Sequence, residues 1–600
     1  MNGPRRSSVI IKLLFLAVFV AGCTTPAATA VVTDTSTKPL QVTPTLFAAV
    51  ESQRSVLPYA DLMQGANLFA PVDNAALTIP LEATQPNSIF EGRLELKGEE
   101  GSGELEVLRG DPDLAPEVAH LPEFDFEFVQ LESYLIPVKR GLIITEHPYW
   151  NYMLEPGRVW QEDGDQGYTR ASFPFALIWK GSNATFNGVM TFLFNEQSIS
   201  KVWYQVTQET AISLSLNLWG FLEASYHPGP VAEADKIRQN YREELMERFP
   251  HKSIEQLPED YKGVDTSSFG GGLTPQHLTW YGVVVGGVNY VGGCQTRFGV
   301  YPYCETMRAP SYSTAKSAFV SIALMRLAQK YDASVPELLI KDYVPEAAAS
   351  PGDWDKVTFN NTLDMATGNY RSAGFMVDEE SWDSDPFWTE EYYEKLISAA
   401  FNWPNSAAPG TRWVYRTSDT FILTRAMQNY LQTMEGLGAD IFQFVVDEVY
   451  KPLKVNPGTY TVLRTRDNDW QGQPYGGLGQ WWIPDDLAKI TELLNVDVGV
   501  IAGDQILHPG LLKAALQGDP EDRGVDIDFN RKYNNAFWAN RYSEANGFAC
   551  EFWVPQMLGY SGIVVALFPN GITYYYASDN REFTWEAALR EADKIAPLCP

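Results

Sequence analysis

Ser313 and Lys316 stand three positions apart in Ser313-Thr314-Ala315-Lys316. On a helix that spacing puts a hydroxyl and an amine on one face, about one turn apart. An uncharged amine at that distance can take the hydroxyl's proton, and a lysine loses its charge when burial strips water from it. The residues that follow supply the burial: Ala318, Phe319, Val320, Ile322, Ala323, Leu324 and Met325 make 317–327 apolar nearly all round, as in a helix at the centre of a domain. The chemistry expected of this pair is attack of the Ser313 hydroxyl on a carbonyl carbon, with Lys316 as base. A second tetrad of the same form, Ser198-Ile199-Ser200-Lys201, falls in a stretch with strand periodicity, where residues three apart face opposite sides of a sheet.

The elements that must position this pair are legible around it. Six hundred residues with 45% hydrophobic content exceed one compact core, so two folded domains behind a leader are expected. Arg5, Arg6 and Lys12 precede the short apolar run Leu13 to Ala21, which reads as a signal peptide over 1–22. It ends in Val20-Ala21-Gly22-Cys23, which looks like a bacterial lipobox with Cys23 as the lipidated residue. The anchor would tie the protein to a membrane of the cell envelope, and Thr24 after the Cys points to the outer membrane, facing the periplasm, if the source is Gram-negative. Residues 23–45, rich in Thr, Ala and Pro, read as a flexible tether. Residues 46–265 read as a β-rich N-terminal domain: Arg93 to Lys97 and Glu104 to Val107 alternate at the period of strands and are joined by Gly101-Ser102-Gly103. A helix is expected from Val231 to Phe249, stopped by Pro250. The glycine-rich stretch 263–272 reads as the boundary, and a domain from 270 to 600 carries the chemistry. Within it Thr279 to Tyr290 suits a strand pair, and Ile563 to Phe568 turns at Asn570-Gly571 into a second strand, Ile572 to Tyr576.

From about residue 275 the chain resembles the serine β-lactamase and penicillin-binding protein superfamily, nearest to its class C-type, esterase-like branch. The motifs that carry the resemblance are Ser313-x-x-Lys316, the segment Pro409-Gly410-Thr411-Arg412-Trp413-Val414-Tyr415, and Gly559-Tyr560-Ser561-Gly562. The resemblance implies an α/β (α+β) fold with an antiparallel sheet flanked by helices and a helical subdomain. It implies that Tyr415 shares protons with Lys316 and protonates the leaving group. It also implies an oxyanion hole formed by the backbone N–H groups of Ser313 and Ile563, beside Tyr560, Ser561 and Gly562. Ser418 would cap a helix from Asp419 to Thr433. The segment Thr358 to Asn369, the turn Gly477-Leu478-Gly479 and the helix start Pro484 to Lys489 resemble further scaffold pieces of the family, while Trp481 and Trp482 read as core residues or cleft walls.

Two positions depart from the β-lactamase pattern. Tyr560 stands where penicillin-recognising members carry a cation, and Arg416-Thr417 follows the tyrosine where a small residue and Asn are usual; Thr417 offers one hydroxyl in place of an amide. An ester or amide hydrolase working through an acyl-enzyme is therefore expected, on a small-molecule or peptide substrate and without a cofactor. The alternatives are a β-lactamase or D,D-peptidase acting on cell-wall peptides, and a catalytically silent lipoprotein that binds a wall component.

Other classes are disfavoured by composition. A formal charge of −30 opposes a phosphate-tracking surface, so nucleic acid is not an expected partner. No Cys-x-x-Cys and no paired His at ligand spacing point to a metal. In an oxidising compartment the remaining cysteines are expected to form disulfides, with Cys294–Cys304 across a short loop and Cys550–Cys599 as the second pair; four cysteines allow three connectivities. There is also no G-x-S-x-G elbow of a Ser-His-Asp enzyme.

Overall fold

The computed structural model describes residues 54–65, 69–81, 83–97, 103–111, 116–180 and 182–599. Cys23, and the signal peptide and tether read over 1–45, lie outside the described residues. No helix among the described residues is long and apolar enough to cross a membrane.

The first folded unit is a closed antiparallel barrel. Its strands are β1 (Glu91–Lys97), β2 (Gly103–Arg109), β3 (Phe124–Leu131), β4 (Tyr134–Pro137), β5 (Trp150–Leu154), β6 (Gly157–Gln161), β7 (Thr169–Trp179), β8 (Thr185–Phe194), β9 (Val202–Thr210) and β10 (Ser215–Pro228). The ring runs β1-β3-β4-β6-β7-β8-β9-β10 and closes because β1 also pairs with β10, which removes the open edges of a flat sheet. The strands joined by Gly101-Ser102-Gly103 do not pair with each other. β1 lies along 223–228 of β10 and β2 along 215–220, two successive stretches of one long strand.

Strand alternation explains how the barrel meets the rest of the molecule. Along β8, Phe186, Met190, Phe192 and Phe194 fill the barrel, whereas Val189 and Leu193 point outward into the core of the second unit. Both faces of β7, β8 and β9 are consequently almost wholly buried. The junction is polar as well as apolar. Buried Arg308 pairs with Glu155 of the barrel, and the Asn187 side chain exchanges hydrogen bonds with the Arg308 backbone at 2.8 and 3.1 Å.

Helix α1 (Ala234–Met246), shorter at each end than the expected 231–249, packs on β3. The chain then enters the second sheet at β11 (His251–Ser253), ahead of the glycine-rich stretch expected to divide the domains. That stretch belongs to the second unit: Phe269 is in its core and the Gly270 amide donates to the Tyr574 hydroxyl. The sheet continues with β12 (Leu278–Val285), β13 (Val288–Gly293), β14 (Val525–Asp528), β15 (Arg531–Asn534), β16 (Phe537–Tyr542), β17 (Phe552–Gly559), β18 (Ile563–Leu567) and β19 (Thr573–Ser578). Its order is β11-β13-β12-β19-β18-β17-β16-β15-β14, antiparallel except for β11 on β13. Residues Ile563, Val565 and Leu567 face the helical core and Val564, Ala566 and Phe568 the opposite face, so this run is apolar throughout.

Helix α2 (314–330), with a π-helical turn over Lys316–Ser321, α3 (Thr417–Glu435) and α4 (Pro484–Asn495) lie on the first face; α5 (Glu586–Ile595) covers the other. The fold is thus a mixed α/β unit with an antiparallel sheet between helical layers, preceded by a β-rich unit. Cys294–Cys304 and Cys550–Cys599 are at bonding distance, with Cα separations of 5.5 and 5.6 Å.

Candidate active site

Ser313 occupies a tight turn just before α2. Tyr312, immediately ahead of it, is held at φ 41°, a left-handed conformation that a tyrosine adopts only when its surroundings impose it. The turn leaves Ser313 partly exposed while Tyr312, Thr314 and Lys316 are buried, so the hydroxyl is the group a substrate can reach.

Lys316 is 1% exposed, and its Nζ lies 2.9 Å from Ser313 Oγ, 3.0 Å from Thr417 Oγ1 and 3.1 Å from the Gly477 carbonyl oxygen. Burial lowers its pKa from 10.5 to about 7, with the carboxylate of Glu379 opposing the fall. The proton assignment follows from the partners. The Gly477 oxygen can only accept. Thr417 donates its hydroxyl hydrogen to Glu379 Oε1 at 2.5 Å, so toward Lys316 it too must accept. A neutral amine has two N–H bonds and one lone pair. With both N–H bonds spent on Gly477 and Thr417, the lone pair faces the Ser313 hydroxyl.

Glu379 thus belongs to the site, partly buried on the turn 375–380. Its second oxygen accepts from the Thr417 backbone N–H at 2.8 Å, the first free donor of the nineteen-residue helix α3. This replaces the expected cap: α3 starts at Thr417, Ser418 lies inside it, and no side chain of the Ncap residue Arg416 caps it. Arg416 turns inward, one Nη2 donating to both Asp419 carboxylate oxygens at 2.7 and 2.8 Å and to Thr367 Oγ1, tying the helix start to the 358–369 segment.

Tyr415 is 4% exposed, and Lys316 Nζ stands 5.0 Å from its ring centroid. Its phenol shares a hydrogen bond with the Ser313 side chain, while burial and the Glu379 charge push its pKa far up. At neutral pH it is therefore a protonated donor and not a phenolate base. Trp413, Tyr533 and Trp538 pack around it with ring centroids 5.6 to 6.4 Å away.

The strand edge is placed differently from expectation. Ile563 lies on interior strand β18, flanked by Gly559 of β17 and Ala577 of β19, so its backbone has no open edge toward Ser313. The Ser561 hydroxyl is turned to the Ser578 carbonyl at 2.8 Å, and Gly562 packs against Ser578 and Glu582. Ser561 and Gly562 lie in the β17–β18 turn and Ile563 opens β18. The stretch packed against the turn of Ser313 is the end of β17. Its pairing with β16 stops at Gln556 opposite Trp538, leaving 557–559 with no strand on that side. A Cβ at Gly559 would fall 2.7 Å from the Ser311 carbonyl oxygen, and the rings of Tyr560 and Tyr312 meet edge to face at 5.4 Å. Among the described residues the amides of Ser313, Tyr560 and Ser561 make no bond to a backbone acceptor, so each is a donor at this spot.

A cation does stand beside Tyr560, from a position the sequence did not single out. Arg581 donates to the Tyr560 hydroxyl at 3.0 Å. Nearby, burial raises Glu380 to about 7, with the Arg581 charge opposing and Glu379 adding to the rise. Other residues take scaffold roles. Trp481 and Trp482 are core residues whose indole N–H groups bond the Asn183 carbonyl and the Thr314 hydroxyl. Ser198 bonds Tyr168 and Asn195, and Lys201 pairs with Glu223, so the second tetrad makes no serine–lysine pair. Among the described residues no group of three or more His, Cys, Asp or Glu is arranged to hold a metal. Glu379 and Asn183 escaped the sequence reading because Glu379 sits in an acidic run that reads as surface and Asn183 in a loop remote from any motif.

No protein-family model matches the chain, and no curated protein matches it. Among solved structures it is similar to a Bacillus anthracis protein provisionally assigned as a 6-aminohexanoate-dimer hydrolase, at 16% identity and a TM-score of 0.43, over 58% of this chain and 87% of that one. It is similar to a penicillin-binding protein homologue from Caulobacter crescentus at 15% identity and a TM-score of 0.36, over 53% and 90% of the two chains. A D-stereospecific amidohydrolase of a Streptomyces species is similar at 14% and 0.35, over 53% and 93%. Identity and score at this level assign neither a substrate nor a role to any residue.

Proposed function

We propose that the protein is a serine hydrolase that cleaves an ester or amide through an acyl-enzyme on Ser313. The observation that carries this reading is the setting of Lys316: Nζ lies 2.9 Å from Ser313 Oγ, and two acceptors, the Gly477 carbonyl and Thr417 Oγ1, are placed to take both N–H bonds of the neutral amine and leave its lone pair to Ser313. Ser313 Oγ attacks the substrate's carbonyl carbon as its proton passes to Lys316 Nζ. The carbonyl oxygen, now an anion, rests on the N–H groups of Ser313 and Tyr560, in place of the Ile563 amide expected from sequence. Tyr415 hands its proton to the departing alcohol or amine and is reprotonated from Lys316. Water then attacks the acyl carbon as its proton passes to Lys316 Nζ; the bond to Ser313 Oγ breaks, that proton returns to Ser313 Oγ, and the acid leaves.

Glu379 supports this cycle by holding the Thr417 hydroxyl in the orientation that keeps Lys316 aimed at Ser313. Tyr560 carries no charge of its own and Arg581 beside it is engaged with its hydroxyl, which supports an ester or amide substrate over a drug held by its carboxylate. Export, with lipidation of Cys23 and a place in the cell envelope, remains part of the proposal. The test is a panel of p-nitrophenyl esters, anilides and nitrocefin with the full chain and Ser313→Ala. Turnover of esters or anilides that disappears in Ser313→Ala supports the reading. Turnover that survives the substitution refutes it, and rapid nitrocefin hydrolysis would move the protein to the β-lactamase alternative.

A further inference from the structure

We propose that the barrel is a working part of the active site, acting through Asn183, a positioning residue on the loop that joins β7 to β8. The inference rests on Ser313 being the nucleophile. Asn183 is 1% exposed, and every polar atom of its side chain is spent on the two segments that frame the Ser313–Lys316 pair. Its Oδ1 accepts from the Tyr312 N–H at 3.0 Å, the Ser311 hydroxyl at 3.1 Å and the Gly479 N–H at 2.9 Å. Its Nδ2 donates to the Gln480 carbonyl at 3.2 Å, and its own backbone oxygen accepts from the Trp481 indole at 3.2 Å.

The first set of contacts fixes the nucleophile. Tyr312 holds a left-handed backbone, and its amide would face a buried space with no acceptor were Asn183 removed. The second set fixes the base, because Gly479 and Gln480 continue the loop whose Gly477 carbonyl takes one of the two Lys316 N–H bonds. Ser311 and Gln480 also bond each other directly, N–H to carbonyl at 2.8 Å, so the two segments form one clamp with Asn183 as its pin. Four residues along, Asn187 of β8 grips the backbone of Arg308, just ahead of the extended Ala309–Pro310 that leads into the turn. The barrel therefore reaches the chemistry through two side chains from one region, and the residue nearest Ser313 makes no contact a substrate would replace.

The test uses the full chain with Asn183→Ala and Asn183→Asp, active sites titrated with a fluorophosphonate so that kcat is expressed per labelled Ser313. An Asp keeps the three acceptor contacts, loses the donation to Gln480 and sets a carboxylate oxygen against the Gln480 carbonyl. The expected result is a fall in kcat per site of about 100-fold for Asn183→Ala, with KM within about threefold of wild type, and recovery of at least tenfold in Asn183→Asp. If Asn183→Ala does not fold, Asn183→Asp alone is expected to show kcat per site lowered by about three- to tenfold at unchanged KM. Wild-type kcat per labelled site in the variant that folds overturns the proposal, even where fewer sites label, because that is the mark of a merely structural role. A wild-type chain that takes no label at Ser313 would instead overturn the reading on which the proposal rests.

Discussion

Replacing Glu379 by Gln removes the one carboxylate charge that opposes the fall in the Lys316 pKa. The two groups are joined through Thr417 by hydrogen bonds of 3.0 and 2.5 Å, so they lie about 5 Å apart, and at an effective dielectric of about 20 their attraction is roughly 3 kcal/mol. That would be worth about two pH units in full. Glu379 is partly exposed, and solvent screening brings the expected change to about one. The sign is fixed: without the anion the ammonium is less favoured, its pKa drops below 7, and the unprotonated base persists at lower pH. The acid limb of kcat/KM, expected near pH 7 in the wild type, should therefore move down by about one unit in Glu379→Gln. The plateau should fall roughly tenfold, since Glu379 takes the Thr417 N–H and hydroxyl on separate oxygens and the NH2 of a Gln, standing in for one of them, cannot accept. The assay is the pH dependence of ester hydrolysis for both proteins from pH 5 to 9. An acid limb that stays in place, or moves up, would falsify the assignment of Lys316 as the titrating base and of Glu379 as its neighbour.

Further outcomes follow from the same geometry. Lys316→Met should abolish turnover by at least about 10³-fold while leaving the fold as stable as wild type or more so below pH 7. The drop from 10.5 to about 7 means that burying the charged amine costs about 5 kcal/mol. That cost is fully present below pH 7 and is relieved as pH rises toward 10, so the variant's advantage in urea midpoint should shrink over that window; a variant less stable at pH 6 than at pH 9, relative to wild type, contradicts this. Tyr415→Phe should lower kcat by about 10²-fold with KM little changed, and more for amides than for activated esters, whose leaving groups need no proton. Gly559→Ala should depress kcat by forcing the end of β17 away from the Ser311 carbonyl, with thermal unfolding showing the fold intact. Breaking Cys550–Cys599, which closes a separation of 49 residues, should cost about 2–4 kcal/mol in urea unfolding without moving the acid limb.

How much of this site could be read from the sequence depended on how far each signal is local. Ser313 and Lys316 were legible because both the spacing and the apolar run that buries the lysine are contained in fifteen consecutive residues. The run from Ile563 was legible as a strand, yet its place inside the sheet sets Ile563 between two neighbours and removes it as a donor. Which strand end is open depends on where β16 stops pairing with β17, and no local pattern encodes that. The barrel was legible as alternating strands but not as a closed ring, because closure rests on β1 meeting β10 more than 120 residues away. Asn183 and Glu379 act by single contacts across the junction and across the cleft. In sequence each is an unremarkable polar residue.

The most direct measurement is intact-mass analysis of the full chain after a fluorophosphonate probe, with peptide mapping and Ser313→Ala as the control. One adduct per chain, mapped to Ser313, absent from the alanine variant and forming faster as pH rises through 7, is the expected result. Equal labelling of the two proteins, or a single adduct on any other residue, would contradict it.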